Sequence, residues 1–347
     1  MFNVNNQKRK GGYLVEAHIK TETRIMDMKG IMELRDVIPY LVYSSDGMGG
    51  NIKEEMNLHD IEKANQTWNA QDMAYGLNYI CNLRKSNFPF IYNVYGKDDI
   101  KDYPEKENVK LFYYPAESRK FVILAAGGAY GAVCSLPESF PVAAELNRLG
   151  LTVFCLNYRV GAPALFPKPM EDLAAAYKYI SENAELFQVD PKHYAVGGFS
   201  AGGHLAAEWG TNNMGAKKYS SPAPELLLLD YPLVDLWDTL SLFPEPIREM
   251  VIKGYFGEGD AKKVCKQYEI IANMDKNYPP VYLVQAANDT TVPVSNSRNM
   301  DDKLKQLGIA HRYECVASGG HGFGLGTNTP AKGWVERAVT FWNELYQ

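Results

Sequence analysis

The chain has 347 residues, 46% of them hydrophobic, with a formal net charge of −5, so it can bury one large α/β core with an appendage or two modest domains. The acidic balance excludes the concentrated basic face that a nucleic-acid partner needs; Lys8-Arg9-Lys10 reads as a solvated terminus. Five scattered cysteines, Cys81, Cys134, Cys155, Cys265 and Cys315, with no CxxC pair, argue against a disulfide framework or a zinc knuckle, and Cys155 and Cys315 inside apolar runs read as buried small hydrophobes.

In chain order, the N-terminus has no apolar stretch long enough for a signal peptide, and no later segment approaches a membrane span, so a cytoplasmic chain without a membrane partner is expected. Gly12 to Lys20 reads as a strand. Met56 to Leu83 carries Trp68, Met73, Tyr75, Leu77, Tyr79 and Ile80 in a spacing that suggests one or two helices. Phe90 to Tyr95 reads as a strand able to pair antiparallel with Val109 to Tyr114. From there strands and helices alternate. Strands are expected at Phe121 to Ala126, Leu151 to Leu156, His193 to Gly198, Glu225 to Leu229, Pro280 to Ala286 and His311 to Val316. Helices are expected at Ser139 to Leu149, Met170 to Phe187, from Ala201, at Ser295 to Leu307 and at Gly333 to Tyr346. Continuous apolar runs alternating with amphipathic helices predict the α/β class, a doubly wound, mostly parallel sheet flanked by helices. The stretch from Asp230 to Asn273 interrupts this alternation, as excursions over an active site often do. The domain reading is an N-terminal extension over 1–89, a candidate cap or lid, and a catalytic domain over 90–347. Trp68, Met73, Tyr75 and Tyr79 are its candidate cleft-capping residues, the alternative being that they pack on the main domain.

The strongest motif is Gly198-Phe199-Ser200-Ala201-Gly202, between a predicted strand and a predicted helix. A tight strand-to-helix turn strains the serine backbone and projects its hydroxyl from the carboxyl end of the sheet. The flanking glycines leave room for neighbouring backbone. A neutral serine needs a base, and the base an orienting acid. In this fold class the acid and histidine follow the serine in that order. Among the histidines beyond Ser200, His204 lies on the same helix and reads as packed, and His311 opens a strand and reads as structural. His321 sits in the flexible Ser318-Gly319-Gly320-His321-Gly322-Phe323-Gly324 loop and is the expected base. Asp289, at the carboxyl end of the Pro280 to Ala286 strand, is the expected acid; Asp230 is its rival. The loop Ala126-Gly127-Gly128-Ala129 offers the amides of Gly128 and Ala129 to an oxyanion, completed by that of Ala201. Tyr130, Phe199 and Phe323, beside these motifs, are candidate substrate contacts. Arg159 is expected to pair with Asp172 in a structural role. There is no HExxH, no cluster of histidines and carboxylates and no nucleotide loop, so neither a metal nor a cofactor is expected.

The combination AGGAY, NYR, PMEDLAAAYKYI, VGGFSAGGHLA, NDTTVPV and SGGHGFG resembles the α/β-hydrolase esterases. Within them it is most similar to the small-ester and carbohydrate acetyl-esterase branch, described as xylanase-associated or feruloyl-esterase-like. The resemblance covers about residues 90–347. It implies a Ser200–Asp289–His321 triad, an oxyanion hole of Gly128, Ala129 and Ala201, and a small-molecule ester as substrate; a homodimer is left open. Ala126 stands where many relatives have His or Pro, and Ala129 where they have a third glycine. An amide-bond hydrolase, peptidase or arylformamidase, would use the same triad. A non-catalytic binder on this scaffold would be expected to lack one of its members.

Overall fold

The computed structural model describes residues 19–49, 52–86, 88–161 and 165–346. The Lys8-Arg9-Lys10 cluster lies outside them, as does nearly all of the strand expected over 12–20; Ile19 and Lys20 are described and not in strand.

Each apolar run identified from sequence becomes a strand of one eight-stranded sheet. In chain order these are β1 (Ile91–Asn93), β2 (Lys110–Tyr114), β3 (Phe121–Ala125), β4 (Thr152–Asn157), β5 (Tyr194–Phe199), β6 (Leu226–Asp230), β7 (Val281–Ala286) and β8 (His311–Val316). Across the sheet they run β8-β7-β6-β5-β3-β4-β2-β1. β1 pairs antiparallel with β2, as expected, and β2 antiparallel with β4; every other neighbouring pair is parallel. Parallel strands need helical crossovers, which cover both faces, so the central strands must be apolar throughout. β3 to β7 are accordingly buried at every position.

Side chains alternate across the sheet and split the core in two. One layer takes Val122 and Leu124 of β3, Leu226 and Leu228 of β6, and Val284 of β7. It is closed by α3 (Ser139–Arg148) and α9 (Trp334–Leu345). The other takes Phe121 and Ile123, Leu227 and Leu229, and Leu283. It is closed by α4 (Lys168–Glu182), α5 (Ser200–Trp209) and α8 (Ser295–Leu307). At roughly 1.5–3 kcal/mol for each large apolar side chain buried, these two layers dominate the stability.

Residues 19–86 belong to the first layer. Their apolar residues are sparse in sequence, yet Ile25, Met28, Leu34, Val37, Leu41, Leu58 and Ile61 are all essentially buried. Two helices form where one or two were expected, α1 (Leu58–Ala64) and α2 (Ala70–Arg84). Side-chain caps start both: Asn57 accepts from the Asp60 amide and Asn69 from the Asp72 amide. α2 packs on α3 through Met73, Leu77 and Ile80, while Tyr75 and Tyr79 donate hydroxyl hydrogen bonds to Glu145 and Asn147.

The excursion after β6 is helical, with α6 (Glu245–Phe256) and α7 (Ala261–Tyr268). Cys155 is buried as expected, but Cys315 is exposed. It sits on edge strand β8, which is paired on one side only and has no fully buried position. Among the described residues, no helix is long and apolar enough to cross a membrane.

Candidate functional site

The serine turn has the geometry its glycines require. β5 ends at Phe199 and α5 begins at Ser200, whose φ of +51° lies in the left-handed region that costs a non-glycine residue energy. A Cβ on Gly198 would run into the Gly202 carbonyl, and one on Gly202 into the carbonyls of Ala125 and Ala126 at the end of β3. The two glycines thus let three backbone segments close around one strained serine. The Ser200 hydroxyl emerges at the carboxyl ends of β5 and β3, above the first turn of α5.

His321 reaches this hydroxyl from the loop after β8. Its Nε2 is 2.8 Å from Ser200 Oγ, and its Nδ1 is 2.8 Å from Asp289 Oδ2. The Asp289 side chain is fully buried, whereas that of His321 keeps 16% of its surface exposed. Such a carboxylate holds the proton on Nδ1 and leaves the Nε2 lone pair free to accept the serine O–H. The other carboxylate oxygen, Oδ1, accepts the amides of Thr291 (2.9 Å) and Val292 (3.0 Å).

A buried residue absent from the sequence reading completes this set. Gln285, the one polar side chain facing the core within β7, donates from Nε2 to Asp289 Oδ2 at 3.1 Å and to the Val292 carbonyl at 2.8 Å. Its signal was available: an amide-bearing residue inside the apolar run VYLVQA needs a polar partner.

The His321 loop is shaped by glycines with positive φ at 319, 320, 322 and 324. It is held from two sides. Asn288 Oδ1 accepts the Gly320 amide at 2.9 Å, and the Thr67 hydroxyl donates to the His321 carbonyl. Trp68 lies against Gly322, where a Cβ would sit 3.1 Å from its Nε1. Of the aromatic and sulfur residues singled out in the N-terminal stretch, only Trp68 approaches the site; Met73, Tyr75 and Tyr79 face α3.

The glycine-rich loop after β3 lies beside the serine. A Cβ on Gly127 would come within 2.9 Å of Ser200 Cβ. Gly128, Ala129 and Tyr130 all have positive φ, at +127°, +52° and +58°. The Gly127 amide is taken by Glu138 Oε2 at 2.5 Å. The next two amides, of Gly128 and Ala129, donate to no acceptor among the described residues.

The three candidate substrate contacts differ from expectation. Tyr130, Phe199 and Phe323 are 2%, 0% and 2% exposed. Phe199 is the last residue of β5 and points under the sheet edge, opposite in sense to Ser200. Tyr130 turns into the second core layer, where its hydroxyl meets His204 Nδ1 at 2.7 Å. Phe323 packs on Tyr231 at a ring separation of 4.8 Å. Proximity in sequence to the motif placed all three beneath the site instead of in it.

The other assignments have clear positions. His204 is buried between Tyr130 and the Tyr268 carbonyl, and the half-buried His311 lies between the Ile309 carbonyl and Asp301. Arg159 pairs with Asp172 at 2.8 Å, with Tyr95 donating its hydroxyl to the same carboxylate. Asp230, the rival acid, is buried at the end of β6 with neither oxygen hydrogen-bonded among the described residues. A groove of about 1020 Å³ runs along α4 between Tyr95, Arg159, Phe166 and Tyr219 and contains none of Ser200, Asp289 and His321.

The BD-FAE family matches residues 112–304. The chain is 25% identical over 225 residues to an acetylxylan esterase of Xylanibacter ruminicola, covering 64% of this chain and 45% of that protein. It is 24% identical over 225 residues to endo-1,4-beta-xylanase B of Butyrivibrio fibrisolvens, covering 62% and 34%. The matched region thus spans less than half of either relative. Among solved structures, an acetyl ester-xyloside bifunctional hydrolase from Caldicellulosiruptor lactoaceticus superposes with a TM-score of 0.63 at 26% identity, covering 74% of this chain and 96% of that one. A truncated carbohydrate esterase from gut microbiota shares the fold, with a TM-score of 0.57 at 22% identity and coverages of 69% and 90%.

Proposed function

The chain belongs to the BD-FAE family of α/β hydrolases, and from that premise we propose that it is a serine carboxylic-ester hydrolase that removes short acyl groups, acetyl foremost, from a carbohydrate or small alcohol. The observation that carries the reading is the single line of contacts from Asp289 through both nitrogens of His321 to Ser200 Oγ, 2.8 Å at each end of the imidazole. The esterases among its relatives support the acyl-ester class, and the acetylxylan esterase and acetyl ester-xyloside hydrolase support an acetylated carbohydrate.

In this reading, Ser200 Oγ attacks the acyl carbon while its proton passes to His321 Nε2. The carbonyl oxygen becomes an oxyanion held by the amides of Gly128, Ala129 and Ala201, the last at the N-terminus of α5. His321 returns the proton to the departing alcohol oxygen as the C–O bond breaks, leaving an acyl-enzyme on Ser200. Water then loses a proton to the same nitrogen and attacks the acyl carbon. The carboxylic acid leaves, and Ser200 regains its proton. Asp289 stays ionised and stabilises the imidazolium in both halves.

The test is hydrolysis of p-nitrophenyl acetate, longer p-nitrophenyl acyl esters, acetylated xylo-oligosaccharides and aminoacyl amides by the parent chain and Ser200→Ala. Acetyl esters are expected to be cleaved best and the variant to be inactive on all. Faster turnover of the amides would replace the ester reading with an amide-hydrolase one.

A further inference from the structure

Glu138, the residue before the first turn of α3, takes no part in the steps above, yet the residue is 3% exposed and its carboxylate is hydrogen-bonded on both oxygens. Oε2 accepts the Gly127 amide at 2.5 Å, and Oε1 accepts the Tyr231 hydroxyl at 3.1 Å. The Tyr231 oxygen in turn accepts the Gly324 amide at 3.1 Å, and its ring lies 4.9 Å from the His321 ring. Tyr231 itself has a φ of +40°, strain that its place in this chain of contacts holds. Gly324 fits only because it lacks a Cβ, which would strike the Pro137 carbonyl next to Glu138. One buried carboxylate therefore connects the loop that carries the oxyanion donors with the loop that carries the base.

We propose that Glu138 is a positioning residue that locks the Gly127–Ala129 loop and, through Tyr231, the His321 loop into their working geometry, and that its negative charge supports the imidazolium.

The direction of the hydrogen bonds suits the ionised form. Gly127 N–H can only donate. The Tyr231 oxygen accepts from Gly324 and donates its own proton to Glu138. Two donors need two acceptor oxygens, which a carboxylate has and a glutamine lacks. The groups facing this carboxylate are His321, Tyr231, Asp230, Cys134 and Tyr158. Only His321 among them can be cationic. Burial raises the Glu138 carboxyl to about 7, while the Gly127 amide, His321 and the Tyr231 hydroxyl draw it back. The carboxyl therefore gains its charge as pH rises through about 7, against a desolvation cost that an apolar residue would avoid.

The inference rests on the triad reading, and its test separates the two. Parent, Ser200→Ala, Glu138→Gln and Tyr231→Phe are assayed on p-nitrophenyl acetate, with kcat and KM resolved and kcat/KM followed from pH 5 to 9. Glu138→Gln is expected to lower kcat on the order of tenfold to a hundredfold with KM within about twofold, the scale of a displaced oxyanion donor. Its acid limb should also move to lower pH, because an imidazolium that has lost a neighbouring negative charge deprotonates more readily. Tyr231→Phe should lower kcat without moving that limb. Unchanged kcat and an unchanged acid limb in Glu138→Gln would overturn the proposal. If Glu138→Gln does not fold, an unchanged kcat in Tyr231→Phe would do the same. Activity persisting in Ser200→Ala would instead overturn the triad reading.

Discussion

His321 Nε2 and Ser200 Oγ stand 2.8 Å apart although 121 residues separate them along the chain. Nothing local forces this approach. It results from β5 and β8 ending at the same edge of the sheet, with glycines in both loops allowing the two side chains to converge. The hydroxyl has no charge of its own to act with, so the proton transfer this contact permits must carry the chemistry. Ser200→Ala and His321→Ala should each lower kcat by roughly 10⁵- to 10⁶-fold, and the double variant hardly further, because residues acting as a unit are not additive. Far-UV circular dichroism should be unchanged. A single variant that keeps even a hundredth of the parent kcat would break the assignment.

The choice between Asp289 and Asp230 is equally open to measurement. Asp289 meets the imidazole and has four hydrogen bonds to its oxygens, from His321, Gln285 and the two amides that follow it. Asp230 has none, and burial pushes its carboxyl well above the ordinary range, with the charges of Glu138 and Asp289 adding to the effect. Asp289→Asn should lower kcat about 10⁴-fold, since an amide there favours the wrong imidazole tautomer. Asp230→Asn should leave kcat within a few-fold. The reverse ranking would move the acid to β6.

Most of this was legible in sequence where local chemistry dictates the outcome. Phe121 to Ala126 was legible as a central strand because short apolar runs alternating with amphipathic helices fit a parallel sheet covered on both faces. Ser200 was legible because Gly198 and Gly202 serve a turn no other residues fit. Legibility failed where long-range packing decides. Phe199 and Tyr130 looked like substrate contacts by adjacency, but strand alternation turns Phe199 into the core, and a positive φ turns Tyr130 away. Residues 19–48 contain only a four-residue helix, a three-residue 3-10 turn and a hairpin of two-residue strands, so no periodicity announces them. Their order comes from distant partners, such as the backbone pairing of Tyr43 with Val133. Glu138 gave no signal because its hydrogen-bond partners lie 11 and 93 residues away.

The N-terminal stretch bears on both folding and the site. Met73, Leu77 and Ile80 cover α3, so deleting residues 1–86 exposes the outer apolar face of α3. That deletion should yield aggregated chain, not a trimmed enzyme with altered substrate preference; recovery of a cooperatively melting, active protein would show the stretch to be a dispensable lid. A milder change separates support of the site from folding. Thr67→Val keeps the shape but removes the hydroxyl that donates to the His321 carbonyl. One hydrogen bond of this kind contributes about 1 kcal/mol. A Tm within a few degrees of the parent and a kcat lowered by about fivefold are expected.

Glu208 and His204 provide a pH signature independent of catalysis. They lie 4.0 Å apart, both buried, which on distance alone suggests an ion pair. Burial argues otherwise: it raises the Glu208 carboxyl to about 8, with Lys218 opposing, and lowers His204 to about 4, with the Tyr268 carbonyl opposing. Between those values both are neutral, and His204 accepts from Tyr130 on Nδ1 while donating to Tyr268 from Nε2. A carboxyl whose pKa rises on folding keeps a proton that the unfolded chain has lost. Stability is then highest below its ordinary value of 4.5, falls as pH rises, and levels off above about 8. Glu208→Gln removes that slope. Each displaced pKa unit corresponds to about 1.4 kcal/mol, so at pH 9 the variant should exceed the parent by a few kcal/mol, with much less difference at pH 5. Urea midpoints at pH 5, 7 and 9 measure this directly. A variant less stable than the parent at every pH would mean that Glu208 is charged in the fold and paired with His204.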